Sequence, residues 1–323
     1  MSAVGPFGSP ARADTSATEE LLEDVLDGLG GTPKTLPAKL FYDDRGAELF
    51  EQICTLDEYY LTRSEIEILR ARSPEIAALA GAECALIEYG SGAGLKIRLL
   101  LDALERPVAY VPIDISSEQL GRVAAQLATE YPSVEVRPLA ADYTRHIQLP
   151  PLPSHARHVA FFPGSTIGNF HPAEATAFLS RVRRVVGSNG ALVLGVDRRK
   201  NIDVLNAAYD DKLGVTAEFN LNMLRRINRE LGATFDIARF QHRAFFNDAA
   251  SRVEMHLESL DRQCVQIAGT RIAFAEGETI WTESSYKYDE AQLAAVVGAA
   301  GFRIARLWTD SVDNFWVVFL EAL

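Results

Sequence analysis

The chain has 323 residues, 48% of them hydrophobic and 24% charged, with a net charge of −12. That length and composition suit a soluble globular protein of one large or two modest domains with ample core. The acidic balance argues against a nucleic-acid partner, since phosphate binding needs a basic face.

Cys54, Cys84 and Cys264 are scattered and include no Cys-x-x-Cys pair. They fit a reducing cytoplasm, where the protein is expected, better than a disulfide framework. His146, His155, His158, His171, His242 and His256 lack zinc-ligand spacing with cysteines or acids, so no metal is expected. Residues 1–17 are rich in Ala, Gly, Ser and Pro, without a basic start or an apolar stretch, and read as a flexible tail. No run is long enough to span a bilayer, so no membrane partner is expected.

In chain order, Glu19 to Leu29 reads as a helix with apolar residues at 21, 22, 25 and 29, ended by Gly30-Gly31 and Pro33. Two aromatic-rich stretches follow, Leu40 to Phe50 and Asp57 to Arg63, where rings beside acids and an Arg could cover a small polar ligand or simply form core. Thr62 is a candidate cap for a helix over Ser64–Ala71, with 75–80 continuing helical.

Leu86-Ile87-Glu88-Tyr89-Gly90-Ser91-Gly92-Ala93-Gly94-Leu95-Lys96 then reads as a buried strand, a tight turn and the start of a helix. Leu95 stands where a dinucleotide fingerprint needs its third glycine, so that fingerprint fails and a dehydrogenase is the weakest reading. A second apolar run, Val108 to Asp114, ends in an acid 20 positions after Gly94, where such folds grip ribose hydroxyls. A third strand, Val134 to Leu139, leads to Asp142 and Tyr143; an acid there can accept from an adenine amino group while neighbouring side chains cover the adenine ring. An acid followed by Gly-x-Gly-x-Gly resembles the first motif of Rossmann-like S-adenosylmethionine methyltransferases.

His158 to Phe170 gives a fourth strand with a glycine-bearing loop, and Ala191 to Asp197 a fifth, with a helix from His171 between them. From Asn201 to Leu231 the pattern is helical, with Ile202, Leu205, Tyr209 and Leu213 on one face. Short alternating runs follow at Arg252–Leu257, Gln263–Ile267 and Thr279–Ser285, antiparallel in character. A helix at Asp289–Ala300 and strands at Arg303–Trp308 and Asn314–Leu320 return to the first pattern. The expected fold is α/β: a Rossmann-like methyltransferase sheet over 61–200 plus 287–323, with a mixed α+β substrate lobe over 18–60 plus 201–286.

Four segments together resemble the histidine-specific N-alpha-methyltransferases of ergothioneine biosynthesis. They are Phe41-Tyr42-Asp43-Asp44-Arg45-Gly46, Glu58-Tyr59-Tyr60-Leu61-Thr62-Arg63, Phe162-Pro163-Gly164-Ser165-Thr166-Ile167-Gly168-Asn169-Phe170 and Thr282-Glu283-Ser284-Ser285-Tyr286-Lys287-Tyr288. The resemblance runs from about residue 20 to the end. It implies conversion of L-histidine to hercynine with three S-adenosylmethionines. By motif, Gly90, Lys96, Asp114, Asp142 and Tyr143 would hold that cofactor. Asn169 and Tyr209 would hold the substrate carboxylate, and Tyr59 would line the amine side. Glu283 and Ser285 would grip the imidazole, and Met255 would wall it; two-residue spacing on a strand independently places Glu283 and Ser285 on one face. Tyr42 and Phe50 would neighbour the amine, and Tyr42 or Tyr59 would relay protons. A methyltransferase for another amino acid such as tryptophan, or a non-catalytic metabolite-binding module, are the rival readings. A monomer is expected.

Overall fold

The structure, a computed structural model, describes residues 11–145 and 147–323, with side chains from Thr18 onward. The expected tail lies outside the described residues as far as residue 10, and His146 does too. The chain opens with α1 (Ala11–Gly30), β1 (Lys34–Thr35), a 3-10 turn (Ala38–Phe41), α2 (Asp44–Ile53) and α3 (Leu61–Ala80). Next come β2 (Ala85–Tyr89), α4 (Leu95–Leu101), β3 (Ala109–Asp114), α5 (Ser117–Glu130), β4 (Glu135–Val136) and β5 (Leu139–Ala140). These lead into β6 (His158–Phe162), a 3-10 turn (Thr166–Asn169), α6 (Pro172–Val186), β7 (Ala191–Asp197), α7 (Ile202–Tyr209) and α8 (Val215–Leu231). A 3-10 turn (Ile237–Arg239) precedes β8 (Phe240–Asn247), β9 (Arg252–Ser259), β10 (Gln263–Ile267), β11 (Thr270–Phe274) and β12 (Thr279–Tyr286). The chain closes with α9 (Glu290–Ala299), β13 (Phe302–Thr309) and β14 (Phe315–Ala322).

Two compact units share these elements. The larger comprises Cys54–Ala208, Phe246–Val253 and Ser284–Leu323. Its eight-stranded sheet has the order β13-β14-β7-β6-β2-β3-β4, with β5 also on β3. Strands β2, β3, β6 and β7 run parallel, and β14 joins antiparallel between β7 and β13. Continuous burial along β2 and β7 explains their near-continuous apolar sequences, as a sheet covered on both faces requires. Ile87, Val111, Phe162, Phe178, Leu194 and Val318 belong to one buried core. The strand order reverses at β2, between β3 and β6, which makes its carboxyl end a topological switch point.

The smaller unit comprises the described residues up to Ile53, Tyr209–Phe245 and Glu254–Glu283. Its sheet has the order β1-β12-β9-β8, and β10 pairs antiparallel with β11. The β1–β12 pair is parallel, and β1 lies outside the stretch expected to be antiparallel. β1 is two residues long and carries no readable alternation.

Other differences from the sequence reading are local. Helix α1 starts at Ala11, ahead of the expected Glu19. Helix α3 is one element that starts at Leu61, with no side-chain capping bond from Tyr60 before it, so Thr62 lies inside it and makes no cap. The third strand is split into β4 and β5 around Pro138, which has no N–H for the ladder. Of the apolar face expected after Asn201, Leu205 and Tyr209 are buried, but Ile202 and Leu213 are exposed. No helix among the described residues is long and apolar enough to cross a membrane, and no described cluster of His, Cys, Asp and Glu could hold a metal ion.

Candidate active site

At the switch point the chain turns through Gly90, Gly92 and Gly94, all at positive φ (75°, 46° and 68°). Side-chain-bearing residues rarely adopt that backbone, so the glycine spacing is a conformational requirement. The Gly90 N–H donates to the Ile113 carbonyl at 2.8 Å, tying the turn to the end of β3. There Asp114 accepts from the Gly92 N–H at 3.0 Å through Oδ2 and from the Ser116 N–H at 3.1 Å through Oδ1. Each oxygen keeps a further lone pair, the pattern of a carboxylate able to take ligand hydroxyls. A Cβ at Gly90 would lie 3.8 Å from the Tyr143 ring, so turn and ring border one space. Tyr143 meets Tyr89 edge-on with centroids 6.1 Å apart and Phe162 at 5.8 Å. Burial pushes its phenol up, leaving a neutral O–H donor. Asp142 accepts from the Thr144 N–H at 2.9 Å and hydroxyl at 2.5 Å.

Glu88, the acid ahead of the glycines, faces inward. Burial pushes its carboxyl up to about 8, partly offset by a hydrogen bond from Tyr110. Buried beneath the turn, it contributes to the sheet interior. Lys96 pairs at 2.6 Å with Glu65, a fully buried carboxylate on α3. Both Glu65 oxygens also accept from the Gly164 N–H, at 3.0 and 2.9 Å. Lys96 therefore fastens the loop after β6 through an acid that the sequence reading did not single out.

That loop carries Asn169, half-buried at the end of its 3-10 turn. A Cβ at Gly168 would fall 2.8 Å from the Tyr286 carbonyl and 3.5 Å from Ser285 Oγ, so only glycine lets the turn lie this close to β12. Asn169 and Ser285 are thereby brought to adjoining backbone. Ser285 is buried and accepts from Lys287 Nζ at 2.8 Å. Lys287, itself buried, pairs with Asp197 Oδ2 at 2.7 Å. Asp197 also accepts from the Tyr60 hydroxyl at 2.9 and 2.8 Å and pairs with Lys200. Its N–H donates to Ser165 Oγ at 2.8 Å. Burial alone would raise the Asp197 carboxyl, but Lys287 and Lys200 outweigh it and hold the group below the ordinary carboxylate range. Two ammonium groups share this one carboxylate, and burial draws Lys200 down to about 8 despite Asp197. Tyr59, just ahead of this cluster, is buried.

The remaining candidates belong to the smaller unit. Tyr42 is exposed and meets Phe50 and Phe219 edge-on at 5.9 and 6.1 Å. Tyr209 is buried at the end of α7, and its carbonyl accepts from His242 Nε2 at 2.9 Å. Asn220 donates to His242 Nδ1, also at 2.9 Å, which fixes the neutral tautomer. Burial lowers His242. Met255 is buried on β9 and its carbonyl accepts from Thr282 of β12 at 3.0 Å. Glu283 is half-buried on β12, and its carbonyl accepts from the Trp281 indole at 2.8 Å.

A parallel sheet with its switch point at a glycine turn and a strand-end acid defines the class of fold, a Rossmann-like domain with a nucleotide-type site. The family model for histidine-specific, SAM-dependent methyltransferases matches residues 21–322. Two mycobacterial histidine N-alpha-methyltransferases are similar over nearly their whole length. That of Mycolicibacterium smegmatis is 42% identical, covering 94% of this chain and 95% of its own. That of Mycobacterium tuberculosis is 43% identical, covering 91% and 92%. Ergothioneine biosynthesis protein 1 of Neurospora crassa is 32% identical over 86% of this chain and 32% of its own, longer sequence. The chain belongs to the histidine-specific, S-adenosylmethionine-dependent methyltransferase family.

Proposed function

We propose that this enzyme transfers three methyl groups in succession to the α-amine of L-histidine, giving hercynine for ergothioneine biosynthesis, and that it works as a cytoplasmic monomer. The observation that carries this reading is the family match over nearly the whole chain, together with a buried serine at 285 beside the Gly168–Asn169 turn.

Bound S-adenosylmethionine supplies a methyl group already activated on a sulfonium. The residues present suit it: a glycine turn closely bordered by Tyr143, and at Asp114 a carboxylate with lone pairs to spare. We assign Gly90, Lys96, Asp114, Asp142 and Tyr143 to holding it, Lys96 acting beside Glu65. Asn169 and Tyr209 receive the histidine carboxylate, and Met255 walls the ring. Glu283 accepts the imidazole N–H and Ser285 serves the other nitrogen. Tyr59 lines the amine side with Tyr42 and Phe50 as neighbours, their rings tolerating the growing cation. The nucleophile must be a neutral amine, so a proton leaves before each transfer, and Tyr42 or Tyr59 relays it towards water. Alignment of amine and methyl supplies most of the acceleration. After the third transfer the nitrogen has no lone pair, and the reaction stops.

The test is a mass spectrum after incubation with S-adenosylmethionine and a panel of amino acids. Histidine should gain three methyl groups while tryptophan and phenylalanine gain few. Preference for another amino acid, or no methylation of any, would overturn the reading.

A further inference from the structure

The buried cluster at Asp197 does more than hold the sheet together. Lys287 Nζ is an ammonium group, a donor with no lone pair, and it lies 2.8 Å from Ser285 Oγ. It occupies one lone pair of that oxygen and sets a positive charge behind it, so the hydroxyl proton is directed away from Nζ. Lys287 is itself fixed by Asp197 at 2.7 Å, and Asp197 by Tyr60 and Lys200. The Lys287 backbone is fixed as well: its N–H donates to the Ser251 carbonyl at 2.8 Å, and its carbonyl accepts from the Ser251 hydroxyl at 2.8 Å.

We propose that Lys287, anchored by Asp197, is a positioning residue for substrate selection: it makes Ser285 a hydrogen-bond donor, so that the pocket takes the neutral imidazole through its unprotonated ring nitrogen. This rests on the assignment of Ser285 to the imidazole. An imidazolium has no such nitrogen; both its ring nitrogens donate, and one would face a hydroxyl backed by an ammonium. The charged and titratable groups around the pair are Asp197 on β7, Lys200 beyond it, Tyr60 ahead of α3 and, acting on Lys200, Asp310. On β12 itself are Glu283 and Tyr286, the latter in contact with Arg252 and His171. Burial draws Lys200 down to about 8, so its charge is among those that the Lys287 variants must be compared against at the upper end of the range tested below.

The probe is the trimethylated product, hercynine, whose α-nitrogen is a fixed cation and whose imidazole is its group that titrates between pH 5.5 and 7.5. Its dissociation constant is measured calorimetrically on protein saturated with S-adenosylhomocysteine. With an imidazole pKa of about 6.5, a site that accepts the neutral ring alone should bind about tenfold more weakly at pH 5.5 than at pH 7.5. In Lys287→Met no ammonium directs the hydroxyl proton towards the ring, so that ratio should shrink to roughly threefold or less, while Lys287→Arg, which restores a cation, should recover it. A merely structural role would weaken binding at both pH values and leave the ratio alone. A flat wild-type profile would overturn the inference without any variant, so it stands or falls even if Lys287→Met does not fold. A Lys287→Met profile as steep as wild type would overturn it too. If the wild type binds S-adenosylhomocysteine but neither histidine nor hercynine, the assignment beneath the inference fails instead, and the inference with it.

Discussion

The turn at Gly90–Gly94 and the cluster at Asp197 each hold a carboxylate at the carboxyl end of a parallel strand, and they do so in opposite ways. Asp114 is received by two backbone N–H groups from nearby residues and stays partly accessible. Asp197 is sealed inside, surrounded by side chains from positions 60, 200 and 287. A strand-end acid steadied by backbone donors keeps lone pairs for a ligand. One neutralised by two buried cations has become part of the scaffold, reaching the site only through what those cations touch.

Removing each carboxylate should separate the two kinds. Asp197→Ala leaves Lys287 and Lys200 facing each other without a counter-charge, and a broken buried pair costs about 3–5 kcal/mol. Urea unfolding should read a loss of that order; less than about 1 kcal/mol would break the comparison. The same group sets an acid limb. Burial works against it, but the two lysines prevail and depress the folded-state pKa. The unfolded chain therefore takes up the proton first, and the Asp197 contribution is full above about pH 3.9 and lost as pH falls through the lower folded value. Stability of the wild type should drop more steeply between pH 5 and pH 3 than that of Asp197→Asn.

Asp114→Ala should do the reverse. Charge-assisted hydrogen bonds to ribose hydroxyls are worth about 1.5–3 kcal/mol each, so calorimetry should show S-adenosylmethionine bound roughly tenfold or more weakly. The unfolding midpoint should hardly move. Unchanged cofactor affinity would remove Asp114 from the site. The smallest effect is a control on α9. Asp289 accepts from the Gln292 N–H at 2.7 Å in a capping box, and its own N–H donates to Gln292 Oε1 at 3.0 Å. Asp289→Ala should cost about 1 kcal/mol of stability and leave both ligands' affinities unchanged.

The same contrast explains what could be read in the sequence. The glycine turn and Asp114 are local: strand, turn and acid lie within one βαβ unit, and their spacing reports backbone conformation directly. The alternation of strands and helices likewise marks a Rossmann-like sheet, while its strand order and switch point come from the structure. Glu65, by contrast, meets Gly164 across 99 positions, Tyr60 meets Asp197 across 137, and Lys200 meets Tyr60 across 140. No periodicity pairs residues at such distances. Lys287 lies two residues past Ser285 and Asp197 at a strand end, and nothing local in the sequence signals that they meet. Thr62 misled because a hydroxyl ahead of an apolar run looks like a cap, whereas the helix starts at Leu61. Pro138, whose missing N–H divides the third strand, is legible in the sequence as a break in the ladder.

The central claim is that β12 reads the imidazole. An apolar side chain would offer Glu283 no N–H and Ser285 no ring nitrogen, and forgoing those bonds would cost about 1–3 kcal/mol for a neutral group and more for the charge. The most direct test compares relative kcat/KM for histidine, tryptophan and phenylalanine in the wild type and in Glu283→Ala, with cofactor affinity measured alongside. The account predicts a sharp rise in the histidine KM, a preference for histidine over tryptophan reduced roughly tenfold or more, and S-adenosylmethionine affinity nearly intact. An undiminished preference for histidine in Glu283→Ala would contradict it and place recognition of the ring elsewhere.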